Sequence, residues 1–526
     1  MKNNIKSIIV VVVFFMISGL TSCINDLDVK PIDPSTTMEF HQDEVFTKIY
    51  ATMGLTGLEG PAGPVGTGDV DGIDEGTSDF FRLIWNLNEL PTDEAHCNWT
   101  DPGIPELNHG KWGASHNQVQ GLYYRLYFNI TLCNFFLEQI EGMDDAKSLE
   151  QRAETRFIRA LNYYYLIDLY GNVPFVTTVS TASPEQIKRS DLFDFIEQEL
   201  KETAESMKVA KTNTYGRADQ VAAWLLLSRL YLNAEVYTGT AKWTEAAEYA
   251  EKVMNSSYSL SPVYKHLFMA DNNGSSVNKA NDEIILPILQ DGQTTRNYGG
   301  SLFLIASTQK TDDMPGYGTS EQWAGNRCRP EMMYKFIAKD KIPNGSTEEI
   351  IAAAGDERAL FYGIERTLSI DNEAMFVNGF SCVKFTNLRA DKASASDSKF
   401  TDMDVPLMRL AEAYLTFAEA KVRQNNGPVQ EATEVINRLR TRAGARTETS
   451  YTLDNILDEW SREFFFEGRR RSDLIRFGKF GGNSNYVWQW KGGVQNGTSF
   501  HANYNLYPIP NSDIVSNANL VQNPGY

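Results

Sequence analysis

Apolar residues recur at helical spacing through much of this chain. In the clearest stretch, 153–170, residues 157, 161, 165 and 169 are apolar and share one helix face. Gly171 and Pro174 follow this stretch, and both residue types commonly end helices. The pattern therefore predicts an amphipathic helix over 153–170.

Two helical hairpins are predicted further along the chain. The first pairs 217–233 with 243–254, and the second pairs 407–424 with 429–442. Alanines lie at positions where the helices would cross, and small residues there let two backbones approach closely. Successive hairpins of this kind resemble tetratricopeptide repeats. We predict a mainly α fold, built on a tetratricopeptide-like scaffold of helical hairpins.

Two long segments, at about 57–117 and 261–404, interrupt the helical pattern. Both are rich in turn-forming residues, and the second contains a short apolar strand pattern at 283–288. Long loops on a helical scaffold commonly carry function. We therefore expect these loop-rich insertions to form the ligand face of a single domain that spans 41–526.

The N-terminal residues have the form of a lipoprotein export signal. A short basic head precedes an apolar run that is too short to span a membrane, and Leu20-Thr21-Ser22-Cys23 has the form of a lipobox. We predict a signal peptide at 1–22, acylation of Cys23, and a lipidated tether at 23–40. The alternative is an ordinary cleavage site beside a chance cysteine.

Charge and cysteine usage narrow the classes of partner. The formal net charge is −19 with acidic residues spread along the chain, which argues against nucleic acid and favours a neutral ligand over a polyanion. The remaining cysteines have no metal-ligand spacing, and free thiols are favoured over two disulfides. These cysteines are Cys97, Cys133, Cys328 and Cys382.

Two polar stretches contain residue types that suit calcium. The stretch 69–75 opens like an EF-hand loop but lacks its ligand spacing and its closing glutamate, and 271–273 with 281–283 offers hard oxygen ligands. Turn formation explains both stretches equally well. The sequence requires no cofactor, and bound calcium stays an open alternative without assigned ligands.

Segments distributed along the mature chain resemble the RagB/SusD family of outer-membrane lipoproteins. The resemblance rests on Leu169-Tyr170-Gly171-Asn172-Val173-Pro174, on the charged run 460–476, and on the C-terminal stretch 507–526. It is closest to the starch-binding branch of the family, through 88–94, 296–300 and 488–493. The resemblance implies a tetratricopeptide-like platform, a loop-built glycan site, and a SusC-type TonB-dependent transporter in the outer membrane as partner.

The charged run 460–476 contains arginines and carboxylates at helical spacing, which could suggest an anion site. Its positive and negative charges nearly balance, and the resembling family carries the same run whatever its ligand. We interpret it as an internal salt-bridge network.

The candidate glycan site lies in the two irregular segments. Sugar ring faces stack on aromatic side chains, while planar polar side chains bind the hydroxyls. The resemblance implies that Arg82 binds hydroxyls, and that Trp99 and Tyr298 belong to an aromatic arc. It also implies that Trp323 adds an aromatic ring at the rim, and Asp101 completes the candidate set. An arc fits a helical α-linked glucan better than a straight β-linked chain.

The chain departs from the starch-binding branch at two positions. Those relatives have a second tryptophan two residues before the position of Trp99 and an asparagine shortly after it, whereas this chain has Cys97 and Pro102. Loss of one stacking platform weakens binding by about 1–3 kcal/mol, by analogy with bases stacked on aromatics. Weaker α-glucan binding and a different glucose polymer both stay open, with Trp112 or His96 as candidates to compensate.

The favoured function is capture of starch-like α-glucan or maltooligosaccharides, without catalysis, by a lipid-anchored protein on the outer face of the outer membrane. The captured glycan would pass to the SusC-type transporter. A different glycan, or peptides, is the alternative ligand. An extracellular glycoside hydrolase using Asp93, Glu94 or Asp101 is the least favoured function, because no catalytic motif frames these carboxylates.

Overall fold

The computed structural model describes residues 39–57, 68–310, 314–482 and 484–526. The predicted signal peptide at 1–22, Cys23, and all but the last two residues of the predicted tether at 23–40 lie outside the described residues. Phe46–Tyr526 forms one compact unit, and a separate unit ends at Val45. The predicted domain start at residue 41 stays a prediction.

Helices make up most of the regular structure. They are α1 (Gln42–Gly54), α2 (Phe80–Glu89), α3 (Ile104–His109), α4 (Asn117–Gln139), α5 (Ala146–Leu169), α6 (Arg189–Ser206), α7 (Gln220–Leu232), α8 (Ala234–Thr238), α9 (Trp243–Met254), α10 (Gly300–Ala306), α11 (Pro330–Tyr334), α12 (Thr347–Ala354), α13 (Ala411–Gln424), α14 (Gln430–Arg442), α15 (Leu453–Phe464), α16 (Arg470–Arg476) and α17 (Asn511–Ser516). In the part of the chain that the structure describes, no helix is long and apolar enough to cross a membrane.

The strands are short and pair in antiparallel twos. They are β1 (Ala95–Cys97) with β5 (Asn326–Cys328), β2 (Val173–Pro174) with β3 (Gln186–Ile187), β4 (Ile284–Ile288) with β8 (Val405–Arg409), and β6 (Phe361–Tyr362) with β7 (Ser381–Cys382). The strand predicted at 283–288 is confirmed as β4.

The long helices pack on one another in chain order. Helix α4 packs on α5, α5 on α6, α6 on α7, α7 on α9, α9 on α13, and α13 on α14. Ala246, Ala247 and Ala250 of α9 are buried, so small residues lie at the close helix contacts. The arrangement confirms the predicted mainly α scaffold of stacked helical hairpins.

Helices α2, α3, α10, α11 and α12 lie inside the segments expected to be irregular, and one predicted helix begins later than expected. In helix α2, the polar residues Arg82, Asn86 and Glu89 share one face, but the turn-forming residues on either side of this short helix favour a loop. The helix expected from residue 407 begins instead at Ala411. The residues just before it, Val405–Arg409, form strand β8, whose backbone hydrogen-bonds to β4.

The charged run 460–476 is an internal salt-bridge network, as predicted. Glu463 accepts hydrogen bonds from Arg409 at 2.7 Å and from Arg358 at 3.0 Å, and it also pairs with Arg442. Arg476 binds Glu419 through two nitrogens, at 2.7 and 2.9 Å. These groups are buried, so the run holds α13, α15 and α16 together and offers no open anion site.

Candidate functional site

Four of the five predicted site residues lie together. The ring centroids of Trp99 and Trp323 are 6.3 Å apart at an interplanar angle of 53°, and those of Trp323 and Tyr298 are 6.1 Å apart at 55°. All three rings are partly exposed. The guanidinium carbon of Arg82 lies 5.8 Å from the Trp99 ring. Trp99, Trp323 and Tyr298 therefore form a row of three mutually tilted rings, which we call the aromatic arc.

The β1–β5 pair positions the two tryptophans. Cys97 is paired with Asn326, and beyond that pair the amide of Asn98 donates to the carbonyl of Gly325 at 3.2 Å. Trp99 and Trp323 therefore leave the same end of the ladder, where Nε1 of Trp99 donates to the backbone carbonyl of Trp323 at 3.1 Å. A Cβ atom at position 325 would lie 2.2 Å from the Trp99 ring, so only glycine lets this ring rest on the backbone.

The other half of the arc rests on apolar residues. Tyr298 and Trp323 pack against a buried cluster that contains Phe400 and residues of α10. The Trp323 amide also donates to the carbonyl of Ala306 at 2.8 Å. Ala324, the next residue, has φ of +48°, a left-handed conformation that is unusual for a residue with a side chain. The arc is therefore supported from one side by fixed structure.

Arg82 links the two halves of the site. Its Nη1 donates to the Tyr298 carbonyl at 3.0 Å, and its guanidinium also lies 4.8 Å from the Phe303 ring. Burial lowers the pKa of Arg82, while the nearby carboxylates Asp74, Asp79 and Asp101 act in the opposite direction. Arg82 is thus a fixed cation beside the aromatic rings.

Asp101 lies at the edge of this group. It is exposed on the loop that follows Trp99, and its carbonyl accepts a hydrogen bond from the Ile104 amide at 3.1 Å. Among the described contacts, its side chain reaches the arc only through the attraction of its charge to Arg82.

The residues suggested to compensate for the missing tryptophan cannot do so. His96 is fully buried, and Trp112 is 4 % exposed with its indole N–H bound to the Tyr526 hydroxyl. Cys97 is also buried, and burial raises the pKa of its thiol to about 12. The hypothesis that Trp112 or His96 replaces the lost platform is therefore wrong. The other cysteines of the described chain, Cys133, Cys328 and Cys382, are likewise buried free thiols.

The second stretch considered for calcium, 271–273 with 281–283, contains carboxylates that are occupied by protein contacts. Asp271 accepts hydrogen bonds from Ser275, Asn278 and the Ala390 amide, which closes a turn. Glu283 pairs with Arg409 and Arg442. Within residues 39–57, 68–310, 314–482 and 484–526, no group of three or more His, Cys, Asp or Glu side chains is arranged to hold a metal ion. Bound calcium stays an open alternative.

Two of the three carboxylates considered for hydrolysis have structural roles. Asp93 binds Arg470 at 2.7 and 2.9 Å and Lys335 at 2.8 Å. Burial would raise the pKa of Asp93, but these two cations outweigh burial and hold it well below its ordinary value. Glu94 is buried and accepts hydrogen bonds from Ser461 and from the Phe466 amide. Asp93 therefore does not resemble the general acid of a glycosidase, whose pKa is raised.

Two polar residues at the arc were not predicted from the sequence. Glu321 accepts a hydrogen bond from Nε1 of Trp323 at 2.8 Å, and Nζ of Lys399 lies 3.2 Å from Glu321 and 4.9 Å from the centre of the Tyr298 ring. The position of Glu321 two residues before Trp323 could have suggested it. Lys399 comes from a distant loop, so no local pattern reveals it.

Known proteins match the chain over most of its length. Residues 256–526 match the SusD family, and residues 73–232 match a family described as starch-binding and associating with the outer membrane. The chain is 46% identical to the starch-binding protein SusD of Bacteroides thetaiotaomicron, over 97% of this chain and 96% of the relative. A SusD-like protein of Bacteroides ovatus is 23% identical, over 78% of this chain and 76% of the relative.

Solved structures share the fold. A SusD-like carbohydrate binding protein from Bacteroides fragilis superposes with a TM-score of 0.70 at 19% identity, covering 91% of this chain and 98% of that one. Surface glycan-binding protein A from Bacteroides thetaiotaomicron, solved with laminarihexaose, gives a TM-score of 0.66 at 20% identity, covering 92% and 99%. The resemblance found in the sequence is thus confirmed. The chain belongs to the SusD family, whose members bind carbohydrate and are not enzymes, as predicted.

Proposed function

We propose that this protein captures starch-like α-glucan and maltooligosaccharides at the cell surface and delivers them to a SusC-type TonB-dependent transporter. The aromatic arc is the observation that carries the proposal. Three partly exposed rings stand in a tilted row, with the guanidinium of Arg82 beside them. The protein contributes affinity for the glycan and no chemical step.

The geometry of the arc suits a curved chain of neutral sugars. Each ring offers an apolar face to a sugar ring, and the tilts of 53° and 55° turn the row so that consecutive sugars follow an arc. An α-1,4-linked glucan coils with such a curvature, whereas a straight β-linked chain would stack fully on fewer rings. The formal net charge of −19 adds no attraction for a polyanion.

The relative from Bacteroides thetaiotaomicron supports the choice of ligand. It is named a starch-binding protein and is 46% identical over nearly the whole chain. The replacements at Cys97 and Pro102 should lower the affinity for α-glucan, because Cys97 is buried and supplies no stacking surface. We therefore infer weaker α-glucan binding than a complete arc would give, and a different glucose polymer is the second candidate ligand.

The proposed location follows from the N-terminal sequence and from the family. A family match described as associating with the outer membrane covers 73–232. Acylation of Cys23 would anchor the chain by lipid, with the arc facing outward. Cys23→Ala should release the protein from the membrane fraction, which tests the lipid anchor. Co-purification of the transporter with the wild-type protein tests the partner.

The first experiment measures glycan binding by the soluble form that begins after Cys23. Maltoheptaose, α-cyclodextrin, dextran, laminarin and inulin are titrated by calorimetry into wild-type protein and Trp99→Ala. Trp224→Ala, which removes a partly exposed tryptophan from scaffold helix α7, is the matched control. We expect α-1,4 glucans to bind the wild type and the control, and Trp99→Ala to lose binding.

Other outcomes discriminate between the candidates. Binding only to another polymer would replace the α-glucan assignment while leaving a glycan receptor. Binding of oligopeptides with no binding of any glycan would overturn the proposal and select a peptide receptor of the same family.

A further inference from the structure

Glu321 and Lys399 form an ion pair at the Trp323–Tyr298 end of the aromatic arc. Nζ of Lys399 lies 3.2 Å from Oε1 of Glu321, and the side chains are 36% and 24% exposed. The other carboxylate oxygen, Oε2, accepts the indole N–H of Trp323 at 2.8 Å. The pair is therefore attached to the arc through one of its rings and opens to solvent. We call it the polar rim.

The backbone around Lys399 is fixed to the loop that carries Trp323. Thr319 donates through its hydroxyl to the carbonyl of Lys399 at 2.6 Å, and the Ser320 amide donates to the carbonyl of Ser398 at 2.8 Å. Asp397 accepts the amide of Lys399 at 2.7 Å. Two loops distant in sequence are joined at this point, so the ammonium is held beside the arc.

The ammonium also contacts the Tyr298 ring. Nζ lies 4.9 Å from the ring centre. The pKa of Lys399 is raised, first by a hydrogen bond with Tyr298 and then by Glu321. Lys399 thus stays protonated and bridges the last ring of the arc to Glu321.

We propose that the polar rim hydrogen-bonds to two adjacent hydroxyls of a sugar stacked at this end of the arc. These hydrogen bonds would determine which glucan linkages bind. An ammonium has three N–H donors; Nζ of Lys399 lies 3.2 Å from Glu321 and 4.9 Å from the centre of the Tyr298 ring, so a donor is left for a sugar hydroxyl. The carboxylate has about four acceptor sites, of which Lys399 and Trp323 take two. A neighbouring sugar hydroxyl can donate to one of those left.

The inference rests on the proposed function and deepens it by naming the substrate feature. A 1,4-linked glucose keeps O2 and O3 free, and a 1,6-linked glucose keeps O2, O3 and O4 free, so both offer adjacent hydroxyls. A 1,3-linked glucose within a chain has O3 in the linkage, so its free O2 and O4 are not adjacent. The rim therefore favours 1,4-linked and 1,6-linked glucans over 1,3-linked ones. Because the ion pair is neutral as a whole, it suits a neutral ligand.

The test compares α-cyclodextrin with its 2,3-di-O-methyl derivative, in which the adjacent hydroxyls can no longer donate. Calorimetric titrations use the wild type, Glu321→Gln, Lys399→Met and the double variant. Glutamine keeps an oxygen for the Trp323 indole, and methionine keeps the length of the lysine stem. We expect Lys399→Met to weaken α-cyclodextrin binding by about tenfold, since hydrogen bonds to charged groups are worth that much. We expect the wild type to prefer the unmethylated ring by about tenfold and the double variant to lose that preference.

Lys392→Met, which removes an exposed lysine from the same loop, controls for loss of charge. The inference is overturned if the double variant keeps the wild-type preference, or if Lys399→Met binds α-cyclodextrin as the wild type does. When the wild type binds α-glucans and Trp99→Ala does not, either of these two outcomes overturns the role of the polar rim and leaves the proposed function standing. If the wild type binds no α-glucan, the proposed function fails and the inference fails with it.

Discussion

Nη1 of Arg82 donates a hydrogen bond of 3.0 Å to the backbone carbonyl of Tyr298, a residue 216 positions away in the sequence. This bond joins helix α2 to the loop before α10, and so joins the two predicted loop-rich insertions at the arc. The planar guanidinium can hold the carbonyl with one nitrogen while another faces a ligand, which a lysine ammonium cannot do in the same fork geometry.

Arg82→Lys should therefore weaken α-glucan binding by about tenfold, because the lysine keeps the charge but loses the fork. Calorimetric titration with maltoheptaose measures the effect. Arg446→Lys is the matched control, since the Arg446 side chain is 84% exposed. Unchanged affinity in Arg82→Lys would show that Arg82 serves only to hold the loop.

Gly325→Ala should displace Trp99. The added Cβ would lie 2.2 Å from the indole ring, so the ring must leave its place in the arc. We expect loss of most α-glucan binding and a fall of about 1–3 kcal/mol in the free energy of unfolding, as for overpacked sites. Gly113→Ala, where nothing lies within 4 Å of the new Cβ, is the control. Titration and urea denaturation measure the two effects, and full binding by Gly325→Ala would contradict the role of the backbone support.

Glu463→Ala should destabilise the scaffold strongly. Burial alone would raise the pKa of Glu463, but Arg442, Arg409 and Arg358 hold it well below its ordinary value. Removal of the carboxylate leaves these buried cations without their shared partner, which costs about 3–5 kcal/mol. Urea denaturation at neutral pH checks this value. Asp454→Ala, at an exposed ion pair with Lys479, should change stability by less than about 1 kcal/mol. Equal effects of the two substitutions would refute the structural role assigned to the network.

Asp404 should make stability depend on pH near neutrality. Burial raises its pKa to about 7, with the nearby carboxylates of Asp402 and Asp291 adding to the shift against hydrogen bonds from the Gln290 amide and Tyr215. The folded state therefore keeps a proton that the unfolded chain releases near pH 4. This contribution to stability is present at low pH and is lost as the pH rises toward 7.

The free energy of unfolding of the wild type should thus fall between about pH 5 and pH 7, and Asp404→Asn should reduce that slope. Urea denaturation at several pH values measures it. Glu75, whose pKa burial also raises to about 7, stays in the variant, so part of the slope should remain. Asp454→Asn, at an exposed aspartate, is the control. A variant with the full wild-type slope would show that Asp404 does not hold the proton.

The scaffold was predictable because apolar residues recur at helical spacing over long stretches of the chain. Helix α5 and the hairpins around α7, α9, α13 and α14 show their apolar faces in the sequence. Helix α2 also has an apolar and a polar face, but it is only ten residues long and lies among turn-forming residues, which favour a loop. The predicted helix that begins at residue 407 overlaps strand β8. Local periodicity cannot reveal this strand, because its pairing with β4 is a long-range contact.

The candidate site was predictable where a motif carried it. Arg82, Trp99, Tyr298 and Trp323 came from the family resemblance, and the structure brings them together. Their binding role stays a prediction, as does that of Asp101. Glu321 and Lys399 are in contact because the two loops that carry them are hydrogen-bonded to each other. The sequence of either loop alone does not predict this contact.

Both indole N–H groups of the arc are already bound to protein acceptors, the Trp323 carbonyl and Glu321. The tryptophans therefore present only their apolar faces, and a flat face cannot distinguish one hydroxyl configuration from another. Under the proposed function, affinity would thus come from the rings and discrimination between sugars from the polar side chains. Substitutions at the polar neighbours can then change which sugar such a receptor binds while the rings keep their stacking contacts. Sugar specificity can change in this way without a change in the aromatic arc.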